Sequence, residues 1–124
     1  MVKILYIMAG GAIGTLARYS VSGFAYRFYN GTFPIGTLSV NLIGSFIIGF
    51  LWGIWETRNL SPNIRNLIFI GILGGFTTFS SYSLETMNLI KAGEAKYALI
   101  NIFGTNIFGL ILVFLGYVLS KAVF

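Results

Sequence analysis

Residues 71–85, GILGGFTTFSSYSLE, decide how this chain is expected to fold. They lie largely within an uncharged run, yet two glycines at 74 and 75 and two β-branched residues, Thr77 and Thr78, are poor helix formers. We therefore predict a broken helix over Gly74–Thr78. Broken backbone within a membrane is tolerated only where the freed carbonyls line a cavity or meet an ion. The alternative is an unbroken helix whose Thr and Ser hydroxyls bond to their own backbone carbonyls.

The composition around this stretch indicates a membrane protein. Of the 124 residues, 56% are hydrophobic and only 9% are charged, against roughly 25% charged in soluble domains. A soluble domain of this length has too little interior to hide so much apolar surface. The absence of Cys, His and Asp excludes thiolate and imidazole metal sites and His-dependent triads, so we expect no enzymatic activity. The eight basic residues are scattered singly and form no patch for nucleic acid.

The charged residues divide the chain into four spans. The uncharged runs are Ile4–Ala17, Phe28–Trp55, Asn66–Leu84 and Tyr97–Ser120. A transmembrane helix needs about 20 mostly apolar residues, and the first run reaches that length if its helix continues past Arg18. We predict one all-α membrane domain over residues 1–124, with transmembrane helices near 3–27, 36–56, 65–91 and 96–123.

The basic residues do not favour either orientation in the membrane. Four lie at the end that holds both termini and the second loop, namely Lys3, Arg58, Arg65 and Lys121. Four lie at the opposite end, namely Arg18, Arg27, Lys91 and Lys96. Because Lys and Arg prefer the cytoplasmic side, equal counts predict insertion both ways and pairing of two antiparallel copies about an axis in the membrane plane. The alternative is a single orientation, with one boundary charge assigned to the wrong end.

Neutral polar side chains and aromatic rings share the predicted spans. The polar residues are Asn41, Ser45, Ser80, Ser81, Ser83, Thr105 and Asn106, and the aromatic ones are Phe76, Phe79, Tyr82, Phe103 and Phe108. Amides and hydroxyls donate hydrogen bonds, and ring edges carry partial positive charge. Such a path suits a small anion, whereas cation pores use rings of carboxylates. For Asn41 alone, a hydrogen bond between helices is an equally good interpretation.

Three segments resemble the Fluc (CrcB) family of fluoride-specific channels. They are GGAIGTLARY at 10–19, GTLSVNLIG at 36–44 and GGFTTFSSYS at 74–83, in order and correctly spaced along the whole chain. The resemblance implies a dual-topology antiparallel homodimer with two pores, passively exporting cytoplasmic fluoride across a prokaryotic inner (plasma) membrane. It also implies a central Na⁺, structural and not transported, held by the backbone carbonyls of Gly74 and Thr77 from each subunit.

The same resemblance assigns residues to the fluoride pore. It implies Asn41 as the pore amide, the ring edges of Phe79 and Tyr82 facing fluoride, and Arg18 in a vestibule. The hydroxyls of Ser80 and Ser81 lie between the two rings in the sequence. Thr37, in the second motif, and Asn106, in the fourth span, complete the expected set.

Two positions depart from the family pattern. Tyr82 stands where the family usually has a second phenylalanine; it keeps the ring edge and adds a hydroxyl. The fourth span has Leu110 and Phe114 where members often carry hydroxyls. Its polar contribution is therefore expected from other residues, namely Asn101, Thr105 or Asn106.

Two alternative functions remain open at this point. A small proton-coupled multidrug-type exporter is also a four-span dual-topology dimer, but it requires a membrane-embedded carboxylate in its first span, and this span has none. Glu85 is the only embedded acid, near the end of the third span, where it reaches water or pairs with Arg18. A non-conducting assembly subunit would not need the polar break at Gly74–Thr78.

Overall fold

The computed structural model describes residues 1–124 and is entirely helical. Four helical spans are long and apolar enough to cross a membrane. The third contains several elements: α3, a π-helical segment (π1), α4 and α5. The bounds are Val2–Tyr26 for α1, Ile35–Thr57 for α2, Pro62–Arg65 for α3, Asn66–Ile72 for π1, Leu73–Phe76 for α4, Phe79–Lys91 for α5 and Ala95–Val123 for α6.

Local sequence signals set the limits of the third span. Ser61 caps its first turn, where the Ser61 side chain accepts a hydrogen bond from the Ile64 N–H at 3.3 Å, and Pro62 occupies the first helical position. At the other end, Gly93 has a positive φ of 80°. The N–H groups of Gly93 and Glu94 donate to the carbonyls of Ile90 and Leu89, at 3.1 and 2.8 Å. This is the Schellman arrangement, which glycine adopts without steric cost.

The predicted break in the third span is confirmed. Thr77 has φ −90° and ψ 157°, and Thr78 has φ −149° and ψ 118°, so both residues are extended between α4 and α5. The expectation that this span begins near residue 65 was three residues late, because its first turn starts at Pro62. The π-helical segment, with its wider i→i+5 turns, was not predicted.

The first and third loops lie at the same end of the helix bundle. The Thr32 hydroxyl of the first loop donates to Glu94 Oε2 at 2.5 Å. The rings of Phe33 and Tyr97 pack edge to face, with centroids 5.7 Å apart. These contacts place the first and third loops together, as expected when successive spans run in opposite directions.

Contacts at the opposite end place basic side chains against aromatic rings. Arg58 lies over the Phe124 ring at 5.7 Å, and Arg65 lies over the Trp55 ring at 5.6 Å. Lys121 pairs with Glu56 at 3.1 Å. Belts of aromatic and basic residues at span ends are typical of membrane–water interfaces.

Glycines allow the spans to pack backbone against backbone. A Cβ atom at Gly10 or Gly14 would collide with the backbone of π1, and Gly71 packs against Gly10 in return. In the same way, a Cβ atom at Gly49 would meet the carbonyl of Val113. Small residues four positions apart, such as Gly10 and Gly14, commonly allow close helix association in lipid. The spans consequently associate as α1 with π1 and α4, and as α2 with α6.

Many large hydrophobic side chains are exposed on the molecular surface. Only 20 of the 124 residues are buried, and large hydrophobic side chains such as Leu16, Phe114 and Val118 are more than half exposed. In water this exposure would be costly, because transferring apolar surface out of water is the main favourable term in folding. Lipid removes that cost, and the chain is a multi-pass membrane protein.

The glycine contacts predict a matched pair of effects on α1. We expect Gly14→Ala to lower the free energy of unfolding by about 1 to 3 kcal/mol, because the added methyl collides with the Ile72 carbonyl. Gly11→Ala is the control, since no atom lies within 4 Å of its added methyl. Both substitutions replace glycine by alanine within α1, so they change the intrinsic helix propensity equally. The difference between their melting temperatures in detergent therefore measures the effect of the collision. Equal melting temperatures for the two variants would contradict the packing.

Candidate functional site

The break in the third span is held by the side chain of Asn41. Its Oδ1 accepts a hydrogen bond from the Thr78 N–H at 2.8 Å, and its Nδ2 donates to the Thr78 carbonyl at 3.0 Å. Asn41 therefore pairs with both backbone groups of one extended residue, and the Ser45 hydroxyl donates to the Asn41 carbonyl at 2.8 Å. The amide has two N–H donors, so one remains after the bond to Thr78.

Two carbonyls next to the break lose their helical partners. In an unbroken helix the Gly74 carbonyl would accept from the Thr78 N–H, but that N–H donates to Asn41. The Thr77 carbonyl would likewise accept from the Ser81 N–H, which instead donates to the Thr78 hydroxyl at 3.2 Å and caps α5. Both carbonyls are thus released for another partner.

Arg18 lies in a cleft of about 670 Å³ between α1, α2 and α5, here called the Arg18 cleft. Its Nε donates to the Gly75 carbonyl at 3.1 Å, which fixes the guanidinium beside the break. Thr37, Ser81 and Glu85 are among the lining residues. One Glu85 oxygen, Oε1, is buried without a hydrogen-bond partner. The ion pair between Arg18 and Glu85, one of the two sequence-based expectations for this carboxylate, does not form.

A second cleft of about 370 Å³ is lined by Asn41, shares Thr78 with the Arg18 cleft, and is here called the Asn41 cleft. No charged side chain lines it; its polar lining residues are Asn41, Ser45, Thr77, Thr78, Tyr82, Thr105 and Asn106. The Phe79 and Tyr82 rings lie 5.5 Å apart at 48°. Phe79 is 78% exposed, whereas Tyr82 is only 9% exposed. The cleft therefore combines neutral donors with aromatic rings beside the break.

A polar network joins α5 to α6 behind the Asn41 cleft. The Thr86 hydroxyl donates to the Tyr82 carbonyl at 2.7 Å, and Asn101 Nδ2 donates to the Thr86 hydroxyl at 3.0 Å. The Thr105 hydroxyl donates to Asn101 Oδ1 at 3.4 Å. Asn106 Nδ2 donates to the Tyr82 hydroxyl at 3.1 Å. Asn101 is 2% exposed, so its contribution is to hold the two helices together.

The structure distributes the predicted pore residues over two clefts. Arg18, Thr37 and Ser81 line the Arg18 cleft. Four more of the predicted pore residues line the Asn41 cleft: Asn41, Phe79, Tyr82 and Asn106. The two predicted Na⁺ ligands, Gly74 and Thr77, line the same cleft. Ser80 lines neither cleft, and its hydroxyl lies 3.4 Å from that of Thr78.

The central role of Thr78 in the site was not identified from the sequence. This residue lines both clefts, pairs with Asn41 and caps α5. The signal that pointed to it was the β-branched pair after two glycines, which gave the break but not its partners. Thr86 was also missed, because a lone Thr in an amphipathic helix has no distinctive pattern.

Sequence similarity connects the chain to one family of proteins. Residues 5–117 match the family described as CrcB-like protein, Camphor Resistance (CrcB). A protein named fluoride-specific ion channel FluC from Parabacteroides distasonis is 51% identical over 121 residues, which cover 98% of this chain and 94% of that protein. Proteins of the same name from Maridesulfovibrio salexigens and Shewanella amazonensis are 46% and 43% identical. The Maridesulfovibrio alignment covers 99% of this chain and 98% of that relative, and the Shewanella alignment covers 94% of each protein.

The pairing of Asn41 with Thr78 predicts a large effect on stability. Asn41→Leu keeps the approximate size of the side chain but leaves the Thr78 N–H and carbonyl without partners. Each unsatisfied buried group costs about 1 to 3 kcal/mol, so we expect a loss of about 2 to 6 kcal/mol. Asn88→Leu is the matched control, because Asn88 is exposed on α5. Thermal unfolding in detergent measures both; a change no larger for Asn41→Leu than for the control would contradict the clamp.

Proposed function

The chain belongs to the CrcB-like family, and from that premise we propose that it is a fluoride-specific channel. The observation that carries the proposal is the Asn41 cleft, where neutral donors and ring edges lie beside a helix break without any ionised side chain. That chemistry suits a small anion that must be desolvated without being held tightly. The full-length similarity to relatives named fluoride-specific channels supports fluoride as the anion.

The proposed activity is passive export rather than catalysis. Hydrofluoric acid crosses membranes as a neutral weak acid and dissociates in the less acidic cytoplasm, which traps fluoride there. The inside-negative membrane potential then drives the anion out, by about 2.3 kcal/mol per charge for each 100 mV. A path through the membrane is sufficient, and no nucleotide or redox cofactor takes part.

The two clefts are assigned successive parts of the fluoride path. Arg18 attracts the anion at the mouth, because a guanidinium in an open cleft raises the local anion concentration. Thr37 and Ser81 supply hydroxyl donors in the same cleft. Further along, the free Nδ2 hydrogen of Asn41 and the ring edges of Phe79 and Tyr82 face the ion. The remaining proposed contributors are Ser80 and Asn106.

The working unit is proposed to be an antiparallel homodimer. Gly74 and Phe79 are exposed beside the break, on a surface that a second copy can cover. The two ends of the bundle carry four basic residues each, and such equality favours insertion in both orientations. The relatives come from bacteria, which supports the inner (plasma) membrane of a prokaryote as the location.

A structural Na⁺ that is not transported is proposed at the break. The residues fit this ion, because the Gly74 and Thr77 carbonyls lack their helical donors and oxygen is the ligand that hard cations prefer. Two antiparallel copies supply four such carbonyls. When bound, the ion supplies positive charge that favours an anion in the neighbouring pores.

No observation favours the proton-coupled exporter. The helix α1 contains no acidic residue, and the one embedded acid, Glu85, lies on α5 in the Arg18 cleft. An exporter of that kind needs its carboxylate where it binds substrate and protons in turn. The chain therefore has no residue for the coupling step in its first span.

The proposed function predicts selective fluoride release from liposomes. Liposomes containing the purified protein should release fluoride rapidly and chloride no faster than protein-free liposomes, as measured with ion-selective electrodes. Asn41→Asp should abolish fluoride release, because a carboxylate repels the anion in a low-dielectric path and cannot donate to the Thr78 carbonyl as the amide does. Asn88→Asp makes the same change at an exposed position and should release fluoride like the unchanged protein. Equal release of chloride and fluoride would refute a fluoride-specific channel.

The proposed ion predicts a dependence on Na⁺. After exchange long enough to empty the site, replacing Na⁺ by a larger monovalent cation should slow fluoride release and weaken dimerisation, because neither copy alone supplies all four carbonyls. Release assays and analytical ultracentrifugation in detergent measure the two effects. Restoring Na⁺ should restore both, and release that is indifferent to the cation would count against the site.

A further inference from the structure

The amide of Asn106 has no free hydrogen to offer an ion. Its Nδ2 donates to the Tyr82 hydroxyl at 3.1 Å and to the Ile102 carbonyl, one turn earlier on α6, at 2.7 Å. A side-chain amide carries two N–H hydrogens, so both are used. The bond to Ile102 anchors the amide on its own helix, and the other hydrogen points at the phenol oxygen.

The phenol hydrogen of Tyr82, by contrast, has no acceptor within the chain. The Tyr82 oxygen accepts from Asn106, and a phenol has one hydrogen of its own to donate. The Tyr82 side chain lines the Asn41 cleft and is only 9% exposed. Its backbone carbonyl accepts from Thr86 at 2.7 Å. The bond from Asn106 and the burial of the side chain hold the ring in place, while its O–H remains available.

We propose that the Tyr82 hydroxyl donates directly to fluoride in the Asn41 cleft and that Asn106 is a positioning residue acting through it. This inference rests on the proposed function and identifies the group that recognises the anion. An O–H that already accepts a hydrogen bond is a stronger donor, because bonds in a chain polarise one another. Hydrogen bonds to an ion are also shorter and about twice as strong as neutral ones. Fluoride, the smallest halide, approaches such a donor more closely than chloride does.

The test is a comparison of Tyr82→Phe with the unchanged protein. The fluoride concentration that gives half-maximal flux into liposomes should rise about tenfold, while the maximal flux should not fall, because weaker binding does not slow release. Tenfold corresponds to about 1.4 kcal/mol. Tyr117→Phe is the matched control, since the Tyr117 hydroxyl donates to Glu56 Oε1 at 2.5 Å, outside both clefts. It should leave the half-maximal concentration unchanged.

Asn106→Ala separates positioning from a structural role. Introduced alone, Asn106→Ala should raise the half-maximal fluoride concentration by a smaller factor than Tyr82→Phe does. Introduced into the Tyr82→Phe protein, it should have no further effect. An equal effect in both backgrounds would overturn its role through Tyr82.

A spectroscopic measurement reports the hydroxyl directly. Fluoride should change the tyrosine absorption of the unchanged protein and of Tyr117→Phe in detergent, and this change should be absent from Tyr82→Phe. A retained absorption change, or an unaltered half-maximal concentration in Tyr82→Phe, would overturn the inference and leave the channel proposal intact. An unchanged protein without fluoride flux would overturn the channel proposal and this inference together.

Discussion

The structure depends on satisfying the backbone of Thr78 within an apolar span. Two extended residues in a membrane helix leave polar backbone groups that lipid does not hydrogen-bond, at a cost of several kcal/mol each. Asn41 meets the N–H and the carbonyl of Thr78 with one amide. The same bond frees the Gly74 carbonyl, and the Thr78 hydroxyl begins α5. Asn41 thereby stabilises the break and frees the Gly74 carbonyl, while the Thr78 hydroxyl frees the Thr77 carbonyl and caps α5.

The close approach of α1 completes the site on the other side of the break. Gly10 and Gly14 allow the α1 backbone to lie against π1, and this brings Arg18 within 3.1 Å of the Gly75 carbonyl. A guanidinium in lipid is expensive, so its bond to protein and its place in an open cleft explain how the sequence accommodates it. The close packing of α1 therefore also determines where the charge of Arg18 lies.

Local pattern predicted the four spans and the break, and similarity to a family supplied the roles of the residues. The glycine pair and the threonine pair carry a strong local signal, because their helix propensity is low. The bonds from Asn41 to Thr78 and from Asn106 to Tyr82 join residues 37 and 24 positions apart. They depend on how one helix is rotated against another, which periodicity does not encode. The division into two clefts, and the position of Ser80 outside both, follow from the same rotations.

The order in which the spans pack has a consequence for biosynthesis. Each close backbone pairing skips a span: α1 packs on π1 and α4, and α2 packs on α6. When the first two helices leave the ribosome, most of their glycine faces have no partner to meet. Contacts between distant segments form slowly, so the nascent chain holds two loosely associated helices in the bilayer until the third and fourth arrive. The four-span bundle closes only when α6 inserts against α2.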